Sequence, residues 1–296
     1  MNLGIKPGAA RCAAGAPASP QAGRPRLAAG PARVNQAAFT MVEIALCLAV
    51  IGFALLAVIG VLPLGMQVQR ENREETIINQ DASVWLDALR SGARGYDDLT
   101  NYVDEITITT TSYLTGSSNQ VRYTATQPSG SGITNGFRII GLLSTPKYMY
   151  ADLARQIVAT NNHVVAYVRA MSGAASEKAP QTNASVRDLA FRYRLVSEIV
   201  PFAKWDTNWV AFNVPGLPPE EVRARSNLWQ VARNLNGNLR DVRLVFRWPL
   251  LPNGDVGLGR QVFRTVVGGA LTNQVAYRTP LYFFMEPRRY GQVNQP

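Results

Sequence analysis

Few residues of this chain are placed to do chemistry, and Glu43 stands apart from the rest. It sits in Ala38-Phe39-Thr40-Met41-Val42-Glu43-Ile44-Ala45-Leu46, at the head of an apolar run that continues to Met66. The 23 residues from Ile44 to Met66 carry no formal charge. At about 1.5 Å per helical residue, that length matches a hydrocarbon core of roughly 30 Å. A charged group at mid-bilayer costs about 2.5–3.5 kcal/mol or more, so a carboxylate in such a segment asks for a partner. A cut between Ala38 and Phe39 would supply one. Phe39 would become the first residue, and its new α-amino group would lie at i, i+4 spacing from Glu43, on one helix face. In an assembly, Glu43 of one subunit could pair instead with the free amine of its neighbour. That contact would neutralise two charges and set the axial register of packing.

Elsewhere the sequence offers little chemistry. His163, in Asn161-Asn162-His163-Val164-Val165, is the only histidine and reads as a polar residue at a strand edge rather than a triad member. No cysteine pair or His-x-x-x-His spacing suits zinc, and no Gly-x-x-x-x-Gly-Lys-Ser/Thr phosphate loop occurs. Asp97, Asp98, Asp104 and Glu105 form one acidic cluster, oxygen-rich as calcium requires but matching no calcium-loop signature. The 26 arginines, against four lysines, fall at alternate strand positions and form no nucleic-acid-binding motif. They read as a solvated sheet face. Trp205, Trp209 and Trp229 read as core residues. The expectation is a protein without catalytic residues, resident cofactor, metal or specific nucleic-acid partner.

The elements that must position Glu43 follow from pattern. Residues 1–38 hold Lys6, Arg11, Arg24, Arg26 and Arg33 and no acid, and their Pro, Ala and Gly content argues for a disordered, basic tail. Half of the formal charge of +10 therefore belongs to this segment. Lys and Arg beside an apolar span stay in the cytoplasm, which places the body of the chain on the far side of the membrane. Cys12 lies in the tail and Cys47 in the apolar run, so the body has no disulfide and must rely on its core. With about 190 residues beyond the helix it is long enough to form one.

After Pro63 and Gly65 the pattern turns amphipathic, with Val68, Ile77, Ile78, Val84, Trp85, Leu86 and Leu89 among charged residues that include Asp81. One helix over 40–92 is expected, ended by Gly92 and Gly95. Strands are expected at Ile106–Leu114 and Val164–Arg169, and around Phe191, Tyr193 and Leu195. Val121–Thr126 and Phe137–Leu143 read as flanks of a hairpin loop, and Tyr150–Thr160 as a short helix. Ser172–Ala184 reads as a soft linker. Pro218–Asn234 reads as a helix with acids in its first turn, and Leu239–Leu250 and Gln261–Val267 as a hairpin turned at Pro252–Asp255. The expected class is α+β: a long N-terminal helix, half transmembrane and half amphipathic, then a mainly antiparallel sheet. The segments are residues 1–38, 39–66, 67–95 and a β-rich head over 96–296.

A basic leader, a small residue, then Phe39-Thr40-Met41-Val42-Glu43 and a long apolar helix resembles the prepilin cleavage and methylation motif of type IV pilins and type II secretion pseudopilins. The resemblance covers roughly residues 33–66 and is specific there. It implies removal of the leader by prepilin peptidase, with Ala38 the last leader residue, Phe39 the methylated N-terminus, and Glu43 the fifth mature residue. Ala38 stands where the family usually has Gly, the smallest available change, and the leader is longer than most. Residues Phe53–Gly65 also resemble pilin-like cassette proteins of Verrucomicrobia. The absence of a C-terminal disulfide leans toward a pseudopilin or minor subunit. The resemblance implies other pilin or pseudopilin subunits as partners, contacted through the N-terminal helix. It also implies an inner-membrane location with the head periplasmic before assembly into a pilus or pseudopilus. An ordinary secretory signal is shorter and is followed by an Ala-x-Ala-like site, which is missing after Met66. The rival of a different class is a membrane-tethered binding or enzymatic domain that never polymerises.

Overall fold

The computed structural model describes residues 39–92, 95–125, 132–152, 157–172, 190–202, 216–275 and 281–291. Ala38 and the rest of the leader, most of the 172–184 linker, Trp205 and Trp209 lie outside the described residues. The chain divides into two compact units, residues 1–62 and 63–296. Helix α1, Met41–Ser91, contributes to both.

In the first unit α1 is an aliphatic rod. Val42, Leu46, Leu48, Val50, Phe53, Leu56 and Ile59 are all exposed, and no part of its most apolar stretch is buried by the described residues. It is the one helix among the described residues long and apolar enough to cross a membrane. Pro63 falls inside the helix without ending it.

In the second unit the same helix becomes a core element. Ile77, Ile78, Asp81, Ala82, Trp85, Ala88 and Leu89 are buried at a spacing of three to four residues, the period of one helix face. Val68 and Val84, expected on that face, are exposed, and Asp81, expected in solvent, is buried. Outside the apolar run, Arg70 Nε meets Glu74 at 2.8 Å, an i, i+4 pair on the exposed side. The helix stops where Gly92 adopts φ +67°. A Cβ at that position would lie 2.4 Å from the Met285 carbonyl oxygen, so both the backbone conformation and the close approach demand glycine.

The sheet is antiparallel, in the order β2-β1-β4-β5-β6-β7, with β3 also paired to β4. Its strands are β1 Val103–Ser112, β2 Ser118–Thr124, β3 Tyr148–Asp152, β4 Ile157–Arg169, β5 Arg192–Pro201, β6 Leu239–Leu250 and β7 Val256–Gly268. Two further strands, β8 Ala270–Val275 and β9 Leu281–Glu286, pair with each other. Alternation is strict where it matters. Tyr193, Leu195, Val242, Leu244, Phe246 and Trp248 point into the core shared with α1, while Arg192, Arg194, Arg243 and Arg247 take the opposite face. Helix α3, Pro219–Asn238, opens with Glu220 and Glu221 as its sequence requires.

Two local expectations are corrected. Phe137–Leu143 is not a hairpin strand but helix α2, Gly136–Leu143, started by Asn135, whose side chain accepts a 3.0 Å bond from Arg138 N–H. Ile139, Ile140, Leu142 and Leu143 are all buried, so the run shows no one-sided period to reveal its type. The described parts of Tyr150–Thr160, residues 150–152 and 157–160, are strand and not helix. They contribute to β3 and to the start of β4, where Met149 pairs with Thr160 and Tyr150 with Val158. Cross-strand pairing of β-branched and aromatic residues overrides the weak helical preference of these positions. Strands β8 and β9 were not anticipated, although β9 delivers Tyr282, Phe284 and Met285 to the core.

Gly92→Ala is expected to destabilise the head by about 2–3 kcal/mol, combining backbone strain with the carbonyl clash. Gly95→Ala is the control: its φ is +76° but nothing lies within 4 Å of a Cβ, so about 1 kcal/mol is expected. Thermal unfolding of the full chain in detergent measures both.

Candidate functional site

The amino-terminal site is built from three residues. Thr40 precedes the helix, and its carbonyl accepts the first helical bond, from Ile44 N–H, at 3.2 Å. Glu43 N–H donates to Thr40 Oγ1 at 3.3 Å. In return Glu43 Oε2 accepts from the Thr40 N–H at 3.1 Å and from the Thr40 hydroxyl at 3.2 Å. This reciprocal arrangement is a capping box: two helix-end donors, which have no partner within the helix, are satisfied by one threonine and one glutamate. The Thr40-x-x-Glu43 spacing is the sequence signature of such a box. The carboxylate is turned toward the start of the helix, one residue from the Phe39 nitrogen. Phe39 itself is exposed.

The acidic cluster in the head does not act as a unit. Asp97 Oδ1 accepts from Gly136 N–H at 3.0 Å, joining the 3-10 turn Asp97–Asn101 to the start of α2. Asp104 faces Arg169 at 3.0 Å and Arg192 at 4.0 Å. Glu105 is engaged by Arg122 and by the Thr107 hydroxyl. Asp98 is exposed. Among the described residues no group of three His, Cys, Asp or Glu side chains could hold a metal ion. His163 lies on β4, an interior strand rather than an edge, exposed and directly opposite Thr109. Trp229 is buried on α3, with the Arg233 guanidinium 4.9 Å from its ring centre.

Two carboxylates that sequence reasoning passed over are the most constrained in the head. Asp81 is fully buried on α1. Its Oδ2 accepts from Met171 N–H at 2.9 Å and from the Tyr193 hydroxyl at 3.0 Å. Its Oδ1 accepts from Ser172 N–H at 2.9 Å and from the Ser172 hydroxyl. Tyr193 OH in turn accepts from Trp85 Nε1 at 2.9 Å, one turn along α1 from Asp81. Burial pushes the Asp81 carboxyl above the usual carboxylate range, and the bonds from Ser172, Met171 and Tyr193 offset only part of that. Burial and the Asp81 charge push the Tyr193 phenol well above its ordinary value. The network ties α1 to β5 and to the end of β4. Every bond in it joins one element of the head to another, so its work is structural.

The second carboxylate, Asp241, lies near the start of β6 on the opposite face of the sheet. It is only 2% exposed yet sits among arginines: Arg243 Nη2 at 2.7 Å and Arg264 Nε at 2.7 Å. Burial pulls its pKa upward, but the hydrogen bonds from Arg264 and Arg243, with their charges, hold it below the ordinary value.

No protein-family model, curated protein or solved structure matches this chain.

Tyr193→Phe removes the hydroxyl that both accepts from Trp85 and donates to Asp81. It leaves a buried indole N–H without its partner, so a loss of about 1–3 kcal/mol is expected in urea unfolding. Asp241 gives a pH signature. Its folded pKa lies below the unfolded value, so its contribution is present above the unfolded pKa and is lost as pH falls through the folded one. Asp241→Asn should therefore be less stable than the parent by about 1–2 kcal/mol at pH 7, screening by solvent keeping the figure modest. The gap should close in acid, as unfolding midpoints followed from pH 7 downward would show.

Proposed function

We propose that this chain is a non-enzymatic pilin-like or pseudopilin subunit, cut between Ala38 and Phe39 and methylated at Phe39. It is held in the inner membrane with its head periplasmic until it joins a type IV pilus or type II secretion pseudopilus, as a minor component. The observation that carries this reading is the setting of Glu43. Its carboxylate is the sole formal charge on α1 before Arg70, and it faces back toward the backbone N–H next to Phe39. Once Phe39 is the first residue, its ammonium becomes a charge-assisted donor beside the one Thr40 already supplies. The apolar side chains of the same rod have no cover among the described residues, and lipid would provide it before assembly and neighbouring rods after it. The basic residues of 1–38 favour keeping that segment in the cytoplasm.

Capping and ion pairing separate in two variants. Glu43→Gln retains an oxygen that accepts from Thr40 N–H but carries no charge. Glu43→Ala loses both, at a capping cost of about 0.5–2 kcal/mol, too little to expel a helix of this apolarity from a bilayer. Both variants are expected in the membrane fraction, and both are expected to be depleted from sheared filaments or pseudopili of the native host. Normal incorporation of Glu43→Gln would show that the cap alone matters and would remove the ion pair from the account.

A further inference from the structure

Strand β7 ends the seven-stranded sheet: it pairs with β6 on one side and, among the described residues, with no strand on the other. An open edge of this kind leaves a row of backbone N–H and C=O groups free to pair. The side chains on its outer face alternate as Leu258, Arg260, Val262, Arg264 and Val266, every one of them exposed. Inward of this strand the face continues in register. Arg260 stands opposite Arg247 on β6, and Arg247 opposite Arg194 on β5. The next row, Val262–Val245–Val196, is apolar.

Carboxylates answer the other cations of this face: Asp241 holds Arg243 and Arg264, Asp104 faces Arg169 and Arg192, and Glu198 holds Lys147 at 2.7 Å. The Arg194–Arg247–Arg260 row has no such acid among the described residues, although like charges directly opposite one another destabilise a sheet. Its outer end is the open edge.

We propose that the β7 edge docks an extended segment of another protein by strand addition, and that along the face it shares with Leu258, Arg260 and Val262 the segment alternates apolar and acidic residues. An acid opposite Arg260 completes the uncompensated row in the way Asp241 completes its neighbour, and apolar residues opposite Leu258, Val262 and Val266 cover exposed surface. Backbone bonds to the edge supply affinity, and the alternating side chains supply specificity. A second copy of this strand is a poor occupant in the register that sets apolar side chains against apolar ones. Antiparallel pairing centred on Val262 would set Arg260 against the partner's Arg264, a like-charge clash that selects against self-association.

The test uses the full chain in detergent and a fluorescein-labelled peptide, Val-Thr-Glu-Thr-Val-Thr-Glu-Thr-Val, followed by anisotropy. Controls are the same peptide with Lys for Glu, and the Glu peptide N-methylated at alternate residues on each edge in turn. The Glu peptide is expected to bind saturably and at least about fivefold more tightly than the Lys peptide, the scale of one cross-strand charge pair. One of the two N-methylated forms is expected to lose binding, since only one edge of the peptide faces β7. Arg260→Glu, at an exposed position, is expected to narrow or reverse the preference between the Glu and Lys peptides while the circular dichroism spectrum is unchanged. Absence of saturable binding would overturn the proposal. So would equal binding of both N-methylated peptides, which would reduce the effect to general polyanion attraction, or a preference indifferent to Arg260→Glu.

Discussion

A helix that begins at the edge of an apolar medium must satisfy its first backbone N–H groups without help from water. In this chain Thr40 and Glu43 do so for each other, and the rest of the reading depends on that exchange. The glutamate is held at the one end of the helix where the macrodipole favours a negative charge. It also remains one residue away from the nitrogen that cleavage after Ala38 would turn into an ammonium. A carboxylate needed only as a cap would be ordinary on a soluble helix. On a rod whose next charged residue is Arg70, the same carboxylate is the only strong electrostatic handle available.

The same helix meets a different problem further along. From Ile77 to Leu89 it is a wall of the head's core, and there a second carboxylate, Asp81, is satisfied by backbone and hydroxyl donors from after β4 and from β5. Apolar packing of Trp85, Leu89, Phe246 and Leu195 supplies the non-directional part of the attachment. The Trp85–Tyr193–Asp81 chain adds direction, because its hydrogen bonds form only in one register of helix against sheet. The head has no disulfide among the described residues, and this network does some of the positional work that a covalent tie would do.

Much of this was readable in advance, for physical reasons that can be named. The helix limits were plain because the apolar run, the i, i+4 charge pairs and Gly92 all speak locally. Strands β5 and β6 are legible in their Arg-apolar alternation, since one face is core and the other is not, and β7 in the Pro252–Asp255 turn that precedes it. Helix α2 and strand β3 were misread because their identity is decided by distant partners. A run buried on more than one side has no period, and a segment with mixed propensity takes the structure its neighbours offer. The capping role of Glu43 was present in the Thr40-x-x-Glu43 spacing. The burial of Asp81 was not, because its donors are separated from it by about ninety residues. The acidic cluster 97–105 looked like one site because its members are close in sequence, yet three of the four are drawn to separate partners.

On the proposed function, the chain works only after its basic leader is removed and a new terminus is set beside Glu43. Intact-mass and N-terminal peptide analysis of the membrane-extracted protein, from cells containing a prepilin peptidase, tests this most directly. A chain beginning at Phe39 with a methylated α-amine is expected. A mature protein that still begins at Met1, or is cut elsewhere, would contradict it.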